Sequence, residues 1–175
     1  LASCADLDLT SDGRLTLEDI FSEYNTTRNY FDRCRDYIPQ VGFTYGNTPL
    51  ASFSDEAHDA SGGVSGVVND WYNNSTSSSN NPLTRDLNVW AHYFTGIRKC
   101  NTFLETINDP ALATASIDED EKNGWIGEVL VLRAFYYLQL IKRYGGVPII
   151  KSPYEVTHDF SQDTRASFEE CVDLI

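Results

Sequence analysis

The stretch DEDEKNGWIGEVLVLRAFYYLQLIKRYGGVP, residues 118–148, decides the fold. Asp118, Glu119, Asp120 and Glu121 crowd its start, and Lys142 and Arg143 stand near its end. That polarity suits a helix, whose macrodipole favours anions at the N-terminus and cations at the C-terminus. Between them lie Trp125, Ile126, Val129, Leu130, Leu132, Ala134, Phe135, Tyr137, Leu138, Leu140 and Ile141. A helix apolar nearly all round is a buried one. Gly145-Gly146 with Pro148 just beyond is a strong stop, because proline cannot continue a helix. The stretch predicts a long buried helix from about Asp118 to Tyr144, and a buried helix needs other helices around it.

Those neighbours are legible on both sides. Upstream, Leu87, Trp90, Ala91, Phe94, Ile97, Phe103, Leu104 and Ile107 form the apolar side of a helix over about Arg85–Asn108. Asn108-Asp109-Pro110 ends it. Further upstream, Leu17, Ile20, Phe21, Tyr24, Phe31, Cys34 and Ile38 recur mostly at steps of three and four. They predict one helix over about Leu17–Ile38, with Thr16 as N-cap, Asp19 three residues on, and Pro39 as the stop. Downstream, Val147 to Lys151 reads as extended. Ser167 and Glu170 then form a capping box that opens a helix running to Ile175. A cap followed at once by the chain end predicts a chain that continues past Ile175.

Between the first two helices, residues 40–85 change character. Gly, Ser and Asn dominate, notably in Ser61-Gly62-Gly63 and across Asn73 to Asn81. Helical periodicity is absent, which predicts a long irregular loop. Residues 1–15 are short, polar and acidic and read as a tether, leaving 16–175 as one helical domain. The expected fold class is mainly α: tetratricopeptide-like helical repeats with a long irregular loop insertion.

The 175 residues carry a formal net charge of -13, and 41% are hydrophobic. The apolar share can fill a core. So acidic a surface repels phosphate backbones and argues against nucleic acid as a partner. Cys4, Cys34, Cys100 and Cys171 are widely spaced, with no C-x-x-C pair and no Cys/His cluster, which argues against zinc. Cys34, Cys100 and Cys171 read as small buried hydrophobes on helix faces. No run of about 18 apolar residues exists to span a membrane as a helix. The absence of methionine, including a starting one, reads as a chain processed or trimmed at its front.

Several of these segments resemble the SusD/RagB family. They are Trp90-x-x-Tyr93 with Ile97 to Leu104, Gly127-Glu128 with Leu132 to Leu138, Tyr144-Gly145-Gly146-Val147-Pro148, and Thr164 to Glu170. Leu1-Ala2-Ser3-Cys4 is similar to a bacterial lipobox. The resemblance implies tetratricopeptide-type helices, and the N-terminal portion of a longer outer-membrane lipoprotein of Bacteroidetes. It implies a SusC-like TonB-dependent transporter as partner, an oligosaccharide or peptide ligand, a cell-surface location, and no cofactor or catalytic activity. A helical-repeat scaffold without a glycan ligand is the alternative. A glycoside hydrolase fragment is a third reading and lacks paired carboxylates in a pocket context.

The candidate site residues follow. Cys4 is the expected lipid attachment point, since acyl chains supply membrane affinity that this surface lacks. Trp71, Tyr72, Asn73 and Asn74 are the expected sugar contacts: aromatic faces stack on sugar rings and amides satisfy hydroxyls. Trp90 and Trp125 read as packing residues. Asp8, Thr10, Asp12 and Asp19, with Gly13 between, loosely match a calcium loop. Thr and Asp replace the usual ligands at two loop positions, and no entering helix fits before Asp8, so no metal is expected. His58, His92 and His158 are isolated in sequence, and no nucleophile elbow or phosphate loop occurs.

Overall fold

A computed structural model describes residues 15–39, 44–45, 48–54, 56–57, 70, 73–77, 79, 89–155 and 157–175. It is mainly helical. In chain order the helices whose bounds lie among the described residues are α1 (Leu17–Phe21), α2 (Tyr24–Arg33), α3 (Val89–Thr106), α4 (Glu119–Tyr144) and α5 (Phe168–Leu174).

The expected helix ends hold at their caps. Thr16 accepts from the Asp19 backbone N–H at 3.1 Å, and the Asp19 carboxylate accepts from the Thr16 N–H at 2.8 Å. Ser167 and Glu170 form the same reciprocal pair. Asp118 caps α4 by accepting from Asp120 N–H and Glu121 N–H. Gly145 ends α4 with φ +68, a left-handed value that glycine adopts without strain.

The single helix expected over Leu17–Ile38 is two. It breaks at Glu23, whose backbone is extended (φ -126, ψ 144). The break frees carbonyls that find other partners. Ile20 O accepts from the Thr26 and Thr27 hydroxyls, and Phe21 O accepts from the Ala115 N–H of the α3–α4 linker. Threonine hydroxyls compete with the helix ladder in this way. The periodicity survived the break, which is why it concealed it. Likewise this helix is Val89–Thr106, ending two residues before Asn108, and the expected start near Arg85 lies outside the described residues.

Helices α3 and α4 form the centre. Trp90 meets Tyr144 at one end of the pair, Tyr93 stacks on Tyr136 further along, and Phe103 and Trp125 flank Phe31 at the other end. The two helices therefore run antiparallel, the arrangement of a tetratricopeptide-type pair. Gly96 lets them approach, because a methyl there would lie 2.9 Å from the Tyr136 ring. Phe21, Phe31, Ile97, Phe103, Val129, Tyr136 and Leu140 fill the space between α1, α2, α3 and α4. The Tyr136 hydroxyl donates to Cys34 O across the core. Cys34, Cys100 and Cys171 are all buried free thiols, as expected.

The expectation for α4 needs correcting on one face. Leu130, Val131 and Leu138 are 43%, 68% and 41% exposed. Apolar composition on every side predicted burial on every side. Among the described residues, α3 and α5 cover only part of the helix. Within residues 40–85, Thr44–Tyr45 pairs antiparallel with Thr48–Pro49, and a short 3-10 turn follows over Leu50–Phe53. These pieces are ordered pairing within a segment expected to be irregular throughout. Among the described residues, no helix is long and apolar enough to cross a membrane.

Candidate ligand cleft

Past α4 the chain turns back along α3, and its course is set by buried polar ties. Asn101 on α3 donates to Ile150 O at 2.9 Å. Arg133 on α4 donates to the Asn101 side-chain oxygen at 2.9 Å. The Tyr137 hydroxyl receives the Ile150 N–H at 2.7 Å and donates to Ile150 O at 3.2 Å. Burial is the main reason the Tyr137 phenol is pushed up to about 12. These bonds satisfy the backbone of a segment with no sheet partner, as buried backbone requires. At the next turn, Val147 O accepts from the Ala166 N–H and the Cys171 thiol. Gly146 permits this approach, since a Cβ there would lie 2.0 Å from Ala166 O.

Tied to α3 at Ile150, residues 148–155 and 157–163 enclose with it an open cleft of about 580 Å³. Trp90, Phe94, Ile97 and Arg98 come from α3; Pro148, Ile150, Pro153, Tyr154, Phe160 and Asp163 form the opposite wall. Its lining is chiefly apolar. The volume lies within the range of small-ligand sites.

The wall is internally braced. The Tyr154 and His158 rings lie parallel at 3.7 Å, and the Phe160 ring stands edge-on to both. Asp163 engages the His158 ring nitrogen Nε2 through both carboxylate oxygens, at 3.0 and 3.2 Å. Burial and then the Asp163 carboxylate raise the Tyr154 phenol. Asp159 caps the short 3-10 turn Phe160–Gln162 through Ser161. Its carboxyl is held below the usual range by those hydrogen bonds.

The positions chosen from sequence do not converge here. Cys4, Asp8, Thr10, Asp12, Trp71, Tyr72 and His58 lie outside the described residues. Asn73 and Asn74 are exposed in a turn in which Ser75 N–H donates to Asp70 O at 2.9 Å, and Asn74 takes a positive φ of 53. Asp19 is engaged by its cap, and its carboxyl is lowered by the Thr16 backbone and side-chain hydrogen bonds. Trp125 is buried as expected. Trp90 is not a pure packing residue: it rests on Phe94, the Tyr144 ring edge and the Arg165 guanidinium, yet it lines the cleft. His158 is not isolated but stacked and paired. The cleft was missed because its walls, Trp90 to Arg98 and Pro148 to Asp163, lie far apart in sequence on elements of different period. A cluster of Pro153, Tyr154, His158 and Phe160 in one short connection was the available signal.

The cleft thus sits at the flank of one antiparallel, tetratricopeptide-type helical pair in a mainly helical protein. Comparison with known proteins narrows this: residues 36–175 match the SusD-like family described as "Starch-binding associating with outer membrane". The chain belongs to this family. Among solved structures it is similar to a SusD-like protein from Bacteroides fragilis, at 25% identity and a TM-score of 0.64 over 92% of this chain and 30% of that one. It also resembles a laminarin-binding SusD-like protein (21% identity, TM-score 0.66, 88% of this chain and 32% of that one). A third is surface glycan-binding protein A from Bacteroides fluxus (18%, TM-score 0.55, 87% and 31%). The chain thus spans under a third of the length of these relatives. No curated protein matches it.

Proposed function

We propose that this chain is the N-terminal portion of a non-catalytic, cell-surface lipoprotein that binds oligosaccharide for import through a SusC-like TonB-dependent transporter in the outer membrane. The observation that carries this is the family match over residues 36–175. Similarity to a laminarin-binding SusD-like protein and to a surface glycan-binding protein supports a sugar over a peptide. Cys4 is the proposed acylation point, and Trp71, Tyr72, Asn73 and Asn74 are proposed sugar contacts. The exposed turn at Asn73 and Asn74 suits amides that meet hydroxyls. The test is calorimetry of the full-length protein against a panel of soluble glycans, including laminarin and starch oligosaccharides, with product analysis in parallel. The expected result is saturable binding of at least one glycan with the sugar recovered intact. Failure to bind any member of the panel, or release of shorter sugars, would refute it.

A further inference from the structure

We propose that the cleft between α3 and the wall from Pro148 to Glu155 with Phe160 and Asp163 is itself a glycan-contacting site, with the Phe160 ring as stacking platform and Arg98, Glu155 and Asp163 meeting hydroxyls. This rests on the glycan-binding reading above and assigns it a place distinct from the turn at Asn73 and Asn74.

Three observations combine. Phe160 is 63% exposed at the cleft wall. One exposed apolar residue is unremarkable, but this one belongs to a concave patch with Trp90, Phe94, Tyr154, Pro148 and Pro153. Concave apolar surface of this kind marks ligand sites rather than ordinary exterior. Second, the ring is held before any ligand arrives. Tyr154 lies 5.4 Å from it at 82°, His158 lies 4.8 Å away at 80°, and His158 is anchored by Asp163. A ring already fixed loses little freedom on binding, so more of the contact energy appears as affinity.

Third, the polar groups around the rings match a sugar. Arg98 brings donors, Glu155 and Asp163 bring acceptors, Ser152 brings a hydroxyl that does both, and the Thr95 hydroxyl, which donates to Ala91 O, can accept. A pyranose presents an apolar C–H face to an aromatic ring and a rim of hydroxyls to such groups. An anionic ligand is disfavoured by the chain's charge of -13. The ligand class is therefore a neutral oligosaccharide.

The experiment uses the full-length protein and the glycan from the panel that it binds best. Phe160→Ala is expected to weaken binding at least fivefold with an unchanged melting temperature, and Asp163→Asn to weaken it less. Phe160→Trp should retain affinity, and its fluorescence should shift as the glycan saturates. Native affinity in Phe160→Ala, together with loss of binding in Trp71→Ala, would overturn the cleft while leaving glycan binding intact. Absence of glycan binding by the native protein would overturn both. Binding of an uncharged aromatic tetrapeptide by the native protein but not by Phe160→Ala, with no glycan bound, would assign the cleft to peptide and overturn the proposal.

Discussion

Two faces of α3 carry similar aromatic and aliphatic residues and meet different fates. Tyr93 packs on Tyr136 of α4 and Phe103 on Phe21, Tyr30 and Phe31, and both are buried, with the Tyr136 ring laid against Gly96 between them. Trp90 and Phe94, on the neighbouring face, stay half-buried beside an open cleft. The difference is what lies opposite. A second helix supplies interdigitating side chains along its whole length, so the gap closes to interior packing density. Residues 148–155 and 157–163 supply a single braced strip, tied down at Ile150 to Asn101 and Tyr137. Apolar surface that a second helix can close becomes core; apolar surface that a narrow strip only partly covers stays open as a cleft.

The comparison can be broken most severely from the closed side. Phe103→Ala should cost about 3–5 kcal/mol, the usual range for emptying a buried aromatic site. Phe103 touches Phe21, Tyr30 and Phe31 at once, so collapse around the gap is hindered. Urea denaturation measures it, and a loss below about 1 kcal/mol would show that this end of the core is not tightly packed.

The junction between the two regions is the next target. Gly146→Ala places a methyl against Ala166 O and must separate the two strands of chain that dock α5. Overpacking of this kind costs about 1–3 kcal/mol. Hydrogen exchange should speed up at Ala166 and in α5 while α3 stays protected. Uniform loss of protection would mean that the cleft wall and the core unfold as one unit.

The smallest effect tests surface charge on the closed side. The Glu128 carboxyl is lowered by its paired hydrogen bonds from Arg35, and those of Asp19 and Glu170 by their caps. A carboxyl with a folded pKa below its unfolded one stabilises fully above the unfolded value. That contribution is lost as pH falls through the folded value. The melting temperature should therefore stay level from pH 7 to about 5 and fall below about 4. Arg35→Met should flatten that fall only slightly, because a pair this exposed is worth about 0–1 kcal/mol. An unchanged melting temperature at pH 3 would show that these hydrogen bonds add nothing.

Much of the scaffold was legible in the chain. Asp118 and Ser167 marked the starts of α4 and α5 correctly because caps act within one turn of backbone. Gly145 marked the end of α4 for the same local reason. The break at Glu23 was not legible, since Tyr24, Phe31 and their neighbours keep a helical spacing through it. The exposure of Val131 was not legible either, because composition states what a helix would bury and not what stands beside it.

By itself, the sequence determined the mainly helical fold, the caps, and the family motifs around Trp90, Gly127 and Tyr144. All depend on interactions within a few residues or on short patterns. Only the tertiary structure decided that Asn101 and Tyr137 would hold residue 150 against α3, and that Trp90 and Phe160 would face one cleft. Those pairings join residues distant in sequence, and their cost and benefit appear only when the backbone polar groups of one segment must find partners on another.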